Sequence, residues 1–571
     1  MLDLLVTGGR IIDGTGRPAF IADVGVKDDR IVEIGRVRDH AKSVIDAAGL
    51  TVAPGLIDIH THYDAQVMWD PALTPSSLHG FTTVIGGNCG FGIAPITPGD
   101  VDYLLPMLAR VEGIPVESLF SGLDPTWHTF GEWLDSLEGR IGINAGFLVG
   151  HSTIRRLVMG KAAVGAPANE SQLEAMLREL DDALSGGALG FSSSRSTAHN
   201  DHNGDPVPSR FATEDELLAL CGQMATSPGT TIELAPTAGL FEPSTGELMA
   251  SMSSRARRPL NWNLLVVRSG EEEQANREAK LAASDLAAGR GAHVSALVLP
   301  DVSRLRLTFE TGVAYETLPG WADVMHLPHA EKIGALKDPH VRERLERDAR
   351  SGHYVPWRDW ERTTIADAPS PEFEPLVGQS IAALARDRRM APFELLCSIA
   401  VESDLAIGLR PPALGDDDGT WAERARVCQD RRVLVGGTDA GAHLDMLTSH
   451  SAYTAFLTEA VRRRELMSWE RAIQLLTAVP AQYLGLRGRG RVQVGTYADL
   501  MIFSEEDLGL RATELRPDLP GGAGRLFQMP TGVEWTIVNG QPVVAEGRLT
   551  GASPGAVLRS GRDTTTTMIG G

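Results

Sequence analysis

The chain has 571 residues, of which 43% are hydrophobic and 22% are charged, the proportions of an ordinary folded protein. This composition excludes collagen, coiled coil and wholesale disorder. Lys and Arg number 53 against 74 Asp and Glu, which gives a formal net charge of −21. Because so negative a chain repels phosphate groups, we expect neither nucleic acid nor a membrane surface among its partners.

The cysteine content and the amino-terminal segment both bear on location. Four cysteines in the whole chain are too few for a disulfide framework and are typical of a reducing cytoplasm. The segment MLDLLVTGGRIIDG lacks the basic start and the long apolar core of a signal peptide. No run approaches 18 apolar residues, so no membrane span is predicted. We therefore expect a cytoplasmic protein, and the sequence leaves open a homo-oligomer.

Both ends of the chain are predicted to be rich in β-strands. Four short strands, at 2–7, 10–12, 20–26 and 30–34, are separated by turn residues near the amino terminus. Near the other end, Asn539-Gly540 joins two β-rich runs within 533–549, a strong hairpin signal. We expect one small β domain built from residues 1–53 and 486–560. Residues 561–571 have little to bury and are predicted to be a flexible tail.

The middle of the chain alternates apolar strand-like runs with amphipathic helical stretches such as 171–187 and 271–291. Eight strands with intervening helices predict a parallel (β/α)8 barrel over residues 54–485. The eighth predicted strand is separated from the seventh by residues 300–432, which must carry their own structure. This insertion contains Trp321, Trp357, Trp360 and Trp421, as expected of a packed segment that covers a substrate. The eight predicted strands are 55–61, 81–86, 144–149, 187–192, 230–235, 260–267, 292–299 and 433–438.

The sharpest chemical signal is GLIDIHTHYDA at 55–65. Side chains alternate along a strand, so Asp58, His60 and His62 are predicted to share one face. Two imidazoles on one face can bind one metal ion, and Asp58 can accept a hydrogen bond from the second ring nitrogen of a ligand. The alternative is a chance pair, because His-x-His alone is weak evidence in a chain with 15 histidines.

Two glycine-rich segments add further metal-ligand candidates. VLVGGTDAGAH at 433–443 places Asp439 after the eighth strand, where a carboxylate can bind a metal and accept a proton from its water. The alternative for Asp439 is a helix cap. TTVIGGNCGFG at 82–92 places Cys89 just after strand two, where a thiolate can bind zinc. The alternative for Cys89 is a small buried apolar residue.

Polar residues after three other strands are candidates for substrate contacts. His151 ends strand three and is a candidate catalytic donor to an oxyanion. Ser193 ends strand four and is a candidate substrate contact. Arg195 and Arg268 each lie just beyond a strand end and could hold a substrate carboxylate in a fork of hydrogen bonds. A purely structural role or a surface ion pair is the alternative for each.

Taken together, these segments resemble the amidohydrolase superfamily, and more narrowly its D-aminoacylase (N-acyl-D-amino-acid deacylase) branch. The resemblance covers nearly the whole chain and is weakest between 300 and 430. It implies a metal-bearing barrel with a small β-sandwich formed by both termini. It also implies His60, His62 and Asp439 as metal ligands, Cys89 as a further ligand, and zinc-activated water that attacks an amide. The segments that carry it are APGLIDIHTHYDAQVMWDP, SSLHGFTTVIGGNCGFGIAPITP, VGHSTIRRLVMG, GALGFSSSR, GGTDAGAH and VNGQPVVAEGRLTG.

The chain departs from that branch on strands five and six, where the branch supplies one metal-binding histidine each. Here the available polar residues are Glu233, Asn261 and Asn263, and no predicted strand carries a lysine. The remaining donors favour one zinc ion, on His60, His62 and Asp439 with water as the fourth ligand, over two. A second ion on unusual ligands is the alternative. The first hypothesis is a hydrolase of non-peptide linear amides, with an N-acyl-D-amino acid as first substrate. The alternatives are a hydrolase of cyclic amides, imides or larger amide natural products, and a metal-free scaffold without activity.

Overall fold

The computed structural model describes residues 1–237, 239 and 241–569. These residues form a mixed α/β fold. The strands are, in chain order, β1 Leu2–Ile11, β2 Phe20–Lys27, β3 Arg30–Gly35, β4 Ala41–Asp46, β5 Thr51–Pro54, β6 Leu56–Asp58, β7 Phe81–Gly86, β8 Asn144–Phe147, β9 Val149–Gly150, β10 Gly190–Ser194, β11 Thr231–Ala235, β12 Leu260–Leu265, β13 Val294–Val298, β14 Thr364–Asp367, β15 Gly408–Arg410, β16 Val433–Val435, β17 Leu500–Phe503, β18 Gly509–Arg516, β19 Arg525–Thr531, β20 Val533–Val538, β21 Gln541–Ala545 and β22 Arg548–Leu549.

The α-helices are distributed through the middle of the chain. In chain order they are α1 Val101–Glu112, α2 Val116–Gly122, α3 Phe130–Leu137, α4 His151–Met159, α5 Glu170–Ser185, α6 Glu214–Gln223, α7 Pro243–Ala256, α8 Glu271–Ala288, α9 Ala322–Met325, α10 His329–Lys337, α11 Pro339–Ser351, α12 Ile381–Arg388, α13 Pro392–Glu402, α14 Asp418–Val427, α15 Ala452–Phe456, α16 Trp469–Leu476 and α17 Ala478–Leu484. Among the described helices, none is both long and apolar enough to cross a bilayer.

Strands from both ends of the chain lie in one sheet. Its nine strands follow the order β22-β21-β20-β17-β5-β1-β2-β3, with β4 paired to β1. The junction between the two ends is the antiparallel pair of β5 and β17. Apolar side chains from both ends, including Val6, Val24 and Ile502, are buried together against this sheet. Burial of this shared apolar surface stabilises the association of the two ends.

Eight parallel strand segments occur at the eight predicted positions. One parallel sheet has the order β16-β13-β12-β11-β10-β9, and a second has the order β6-β7-β8. Leu148 alone separates β8 from β9, so these two strands are consecutive parts of one segment. A parallel bridge between Thr61 and Ala440 joins the chain just after β6 to the chain after β16.

The long predicted insertion corresponds largely to a second compact unit, Val302–Asp416 with Asp445–Thr448. Its core contains stacked aromatic rings, with Trp321 and Trp360 centred 5.7 Å apart and Phe393 packed against both. Trp421 is an exception to the prediction, because it lies in α14 of the first unit. The main segment of the second unit ends at Asp416, and α14 lies between it and β16.

The carboxy-terminal segment differs from the predicted flexible tail. Thr564 pairs with Leu486, and its hydroxyl donates a hydrogen bond to the Gly229 carbonyl at 2.6 Å. The Thr565 amide donates to the Gly485 carbonyl at 2.8 Å. Small side chains that bury little area are held here by hydrogen bonds, which composition does not reveal. Residues 570 and 571 of the predicted tail lie outside the described residues.

Candidate metal centre

The backbone brings the two histidines of the His-x-His motif to the segment that carries Asp439. Strand β6 ends at Asp58, and the chain continues alongside the residues that follow β16. The Asp439 amide donates to the His60 carbonyl at 3.2 Å, and the His62 amide donates to the Ala440 carbonyl at 2.7 Å. These two hydrogen bonds fix the predicted meeting of the first and eighth strand ends.

One carboxylate oxygen of Asp439 lies between the two imidazoles. Asp439 Oδ1 is 3.4 Å from His60 Nε2 and 3.1 Å from His62 Nε2. The histidine side chains are only 4% exposed, whereas the Asp439 side chain is 31% exposed. Burial opposes ionisation of Asp439, but its contacts with both histidines hold its pKa well below the usual range. Asp439 is therefore an ionised group that faces the histidines and also reaches solvent.

Cys89 completes a set of three buried side chains that could together hold a metal ion. Its Sγ is 3.7 Å from His60 Nε2, and the donor atoms of His60, His62 and Cys89 all lie within 4.8 Å of one another. Cys89 adopts a φ of 57°, a left-handed conformation that is uncommon for a residue with a side chain. Asp439, with a φ of 59°, does the same. Such conformations occur at functional sites, where the surrounding structure holds them.

The glycine-rich loop around Cys89 is held by the ends of neighbouring strands. The Gly90 amide donates to Ser192 Oγ at 3.0 Å, and the Gly90 carbonyl accepts from the Ser152 amide at 2.9 Å. A Cβ at Gly87 would lie 1.9 Å from the Leu148 carbonyl oxygen, so only glycine fits at this crossing. The loop sequence is therefore explained by close packing that directs the Cys89 thiol toward His60.

Glu112 is a buried carboxylate of this centre that the sequence did not reveal. It ends α1, and its Oε1 lies 3.4 Å from His62 Nδ1, the ring nitrogen that faces away from Asp439. Carboxylates commonly hold the outer nitrogen of a metal-binding histidine and so fix its tautomer. The Glu112 carbonyl also accepts a hydrogen bond from the His443 amide. The sequence signal that could have revealed it is a glutamate on the apolar face of a helix, just before the capping residue Gly113.

Glu233 and Asn263 occupy strands five and six beside Cys89. Glu233 Oε2 accepts a hydrogen bond from the Cys89 amide at 2.7 Å. The Asn263 side chain lies 3.4 Å from Cys89 Sγ and its amide group also contacts Glu233. Burial raises the pKa of Glu233 to about 7. Asn261 instead contacts the Tyr483 hydroxyl at 3.2 Å, outside this group.

The chemistry of these donors fits a zinc-like ion. Imidazole nitrogen and thiolate sulfur are the ligands that zinc prefers. Burial and the charges of Glu233, Glu112 and Asp439 raise the pKa of the Cys89 thiol, so a nearby cation is needed to favour its thiolate. His60 Nδ1 is buried and has no hydrogen-bond partner among the described residues. The residues present thus provide a donor set whose electrostatic balance a divalent cation would improve.

Asp58 makes a different contact from the predicted one. Its carboxylate accepts a hydrogen bond from the His60 backbone amide at 3.1 Å and another from the Thr438 hydroxyl. It does not contact His60 Nδ1. The prediction assumed a regular strand through His62, but β6 ends at Asp58 and the alternation of side chains ends with it. Asp58 therefore fixes the backbone of the motif, and burial raises its pKa to about 6.

His151 and Ser193 form a separate buried network. His151 Nδ1 is 2.9 Å from Ser193 Oγ, and His151 Nε2 is 2.9 Å from Glu216 Oε1. Glu216 also accepts hydrogen bonds from Arg155. Both ring nitrogens are occupied and the His151 side chain is 0% exposed, so its predicted role as a donor to an oxyanion is not supported. The predicted substrate contact of Ser193 differs in the same way, because its hydroxyl is buried against His151.

Arg195 and Arg268 lie at exposed positions. Arg195 is 40% exposed and lies 3.7 Å from Glu214, and Arg268 is 50% exposed and lies 3.5 Å from Glu273. Both contacts are surface ion pairs, which was the alternative interpretation for each arginine. Neither arginine contacts the residues of the candidate metal centre in the described structure. Exposure of loop residues depends on tertiary packing, which their position after a strand does not specify.

Comparison with known proteins identifies the family of this chain. The model of the amidohydrolase family matches residues 43–544. The chain belongs to the amidohydrolase family. It is 28% identical to an N-acyl-D-glutamate deacylase of Alcaligenes xylosoxydans xylosoxydans, over 98% of this chain and 96% of that protein.

Two solved structures show the same fold. A D-aminoacylase structure aligns with a TM-score of 0.66 and 24% identity, over 98% of this chain and 100% of that one. An N-acyl-D-glutamate deacylase from Bordetella bronchiseptica, complexed with zinc and a phosphonate mimic of the tetrahedral intermediate, aligns with a TM-score of 0.65 at 24% identity and the same coverage. The predicted resemblance to D-aminoacylases is confirmed.

Proposed function

We propose that this amidohydrolase cleaves a non-peptide linear amide by metal-dependent hydrolysis, with an N-acyl-D-amino acid as its substrate class. The main support is that the donor atoms of His60, His62 and Cys89 converge beside the ionised Asp439. The zinc-bound deacylase of the same fold and the curated N-acyl-D-glutamate deacylase support the choice of reaction.

The proposed resident ion is one zinc, held by His60, His62 and Cys89 with Asp439 beside it. When bound, such an ion would lower the pKa of a coordinated water toward about 7 and would polarise an amide carbonyl. Three protein ligands are the number that catalytic zinc sites commonly use. Glu112 keeps His62 oriented by contact with its outer nitrogen, and the loop from Gly87 to Gly90 fixes the thiol.

Asp439 is the proposed proton carrier. Its low pKa makes it an ionised acceptor at neutral pH, and its partial exposure allows contact with a substrate. It can take a proton from the attacking water and deliver it to the departing nitrogen. General acid–base catalysis of this kind contributes typically 10²- to 10⁴-fold to the rate. We expect Asp439→Asn to lower turnover by about that factor while some zinc remains bound.

The proposed architecture is a closed (β/α)8 barrel. Two parallel sheets cover the eight predicted positions, and the bridge between Thr61 and Ala440 connects the first segment to the last. Amidohydrolase side chains at the carboxyl ends of such strands would then share one mouth. A cytoplasmic location is also proposed, because all four cysteines are free and buried.

The experiment compares hydrolysis of N-acetyl-D-amino acids, their L-isomers and a cyclic imide by purified protein, before and after chelation. We expect release of acetate from the D-compounds, loss of that activity on chelation and its return with zinc. Hydrolysis of the cyclic imide alone would replace the proposed substrate with the cyclic alternative. If the protein binds no stoichiometric zinc and hydrolyses none of these compounds, the non-catalytic scaffold is the correct alternative.

A further inference from the structure

The loop after β10 is fixed at the same strand edge as the Cys89 loop. Ser192, within β10, contacts the Cys89 loop through the Gly90 amide. Ser194, at the end of β10, accepts a hydrogen bond on its carbonyl from Ser209 Oγ at 2.9 Å. The Ser209 amide in turn donates to Ser152 Oγ at 3.2 Å, and Ser152, Ser194 and Ser209 are all buried. Arg210 is therefore the residue that directly follows this fixed serine.

Arg210 has hydrogen-bonding capacity that the protein does not use. Its Nη1 donates to the His199 carbonyl at 3.1 Å and to Asn200 Oδ1 at 2.8 Å. Among the described residues, its Nε and Nη2 have no hydrogen-bond partner, and no carboxylate lies within ion-pair distance of it. Arg195 and Arg268, by comparison, each have a glutamate partner on the surface. Arg210 is half-buried, and this burial lowers its pKa, which is the cost of a cation that lacks a counter-ion.

Arg258 also lacks a carboxylate partner, but a structural role alone accounts for it. Arg258 donates to the carbonyls of Ala225, Ser227 and Arg257 and to the Thr230 hydroxyl, which uses Nε and both terminal nitrogens. Its guanidinium is thus fully occupied by the protein. Arg210 keeps its Nε and Nη2 edge free, and this is the edge that binds a carboxylate with two parallel hydrogen bonds.

The segment that supports Arg210 lies close to the metal centre. His199, whose carbonyl positions the guanidinium, has its ring Nδ1 2.7 Å from Ser194 Oγ. Burial lowers the pKa of His199 to about 4, and the charges of His62, Asp439 and His443 also act on it. Phe91, in the loop that follows Cys89, packs against the same ring with centroids 5.2 Å apart. Contacts therefore run without interruption from Arg210 to the Cys89 loop.

Resting on the proposed function, we propose that Arg210 binds the free α-carboxylate of an N-acyl amino acid through its Nε and Nη2 edge. The partner is a small organic carboxylate whose acyl-amide bond lies at the metal centre. This assigns the substrate cation to the loop after β10 and removes the need for Arg195 or Arg268 in that role.

The test compares two substrates that differ only in the charge of that group, N-acetyl-D-methionine and N-acetyl-D-methioninamide, by release of acetate. We expect Arg210→Met to lower kcat/KM for the acid by about 10- to 100-fold through KM, the effect of one lost hydrogen-bonded ion pair. The value for the amide should stay unchanged. Arg210→Lys, which keeps the charge without the fork, should fall between the two. Arg140→Met is the matched control, because Arg140 makes one carbonyl contact before β8 and has no ion pair in the described structure.

The outcomes separate the two proposals. A wild-type enzyme that cleaves the acid, with an acid-to-amide ratio that Arg210→Met and Arg210→Lys leave unchanged, overturns the role of Arg210 and leaves the proposed function intact. A ratio that falls in Arg195→Met or Arg268→Met instead has the same meaning. A zinc-loaded wild-type enzyme that neither binds nor cleaves either compound overturns the proposed function, and the role of Arg210 with it.

Discussion

The first unit contains two buried histidine–carboxylate clusters. They differ in whether every imidazole nitrogen has a protein partner. In the cluster of His151, Glu216 and Arg155, each imidazole nitrogen has a partner at 2.9 Å and the guanidinium balances the carboxylate. In the metal centre, His60 and His62 share one oxygen of Asp439, and His60 Nδ1 has no partner in the described structure. Burial of a histidine therefore does not by itself identify a functional site, and the two clusters differ in whether both imidazole nitrogens have a protein partner.

The charges of the two clusters lead to the same distinction. Burial raises the pKa of Glu216, but contacts with His151 and Arg155 outweigh it and hold that pKa below the usual value. At the metal centre, burial and neighbouring carboxylates raise the pKa of Glu112 well above its usual range. Uncompensated buried charge costs several kcal/mol. A bound cation would offset this cost at the metal centre. The cluster of His151, Glu216 and Arg155 already contains a cation, the Arg155 guanidinium.

The largest expected effect comes from removing a histidine of the metal centre. We expect His60→Ala and His62→Ala each to abolish stoichiometric zinc and to lower turnover by roughly 10³-fold or more, since water activation and oxyanion stabilisation depend on the ion. Metal analysis and steady-state kinetics on the same preparations measure both. Full activity in either variant would contradict the assignment of that histidine.

Breaking the satisfied cluster should affect stability and leave metal binding intact. We expect Glu216→Gln to lower the free energy of unfolding by about 3 kcal/mol, because Arg155 then keeps a buried charge without its partner. Denaturant unfolding measures the loss, and zinc content should remain at the wild-type level. If zinc were lost from the folded variant, the two clusters would not be independent.

Glu112→Gln should have a smaller effect that is specific to the metal. Loss of a carboxylate that orients a ligand typically lowers metal affinity by about 10- to 100-fold. Competition with a chelator measures that affinity, and the absorption spectrum of the cobalt-substituted protein reports any change at His62. Glu216→Gln is the matched control, since it also removes a buried helical carboxylate from a histidine. An affinity that drops equally in both variants would make Glu112 a structural residue only.

The smallest expected effect is a pH dependence of the satisfied cluster. Burial lowers the pKa of His151, so the unfolded chain binds a proton at a higher pH than the folded chain does. The contribution of neutral His151 to stability is therefore present above the unfolded value of about 6.5 and declines as the pH falls below it. We expect the stability difference between wild type and His151→Gln to shrink between pH 7.5 and 5.5. A difference that is constant over this range would show that folding leaves the pKa of His151 unchanged, and it would contradict the lowered value.

Some of this organisation follows from the sequence, and some depends on folding. Apolar runs predict the eight strand positions, and His60, His62, Cys89 and Asp439, each predicted at or after a strand end, lie near one another in the structure. Glu112 was missed because it approaches His62 from a helix fifty positions later in the chain, without any local pattern. Arg210 was missed for a similar reason, because its position is set by hydrogen bonds of Ser209 to two other segments.

The most direct test of the central claim is the location of the metal in crystals of the zinc-loaded protein, by anomalous scattering at the zinc edge. We predict one strong peak in contact with His60, His62 and Cys89 and adjacent to Asp439. An active protein whose only zinc peak lies away from these side chains would contradict it.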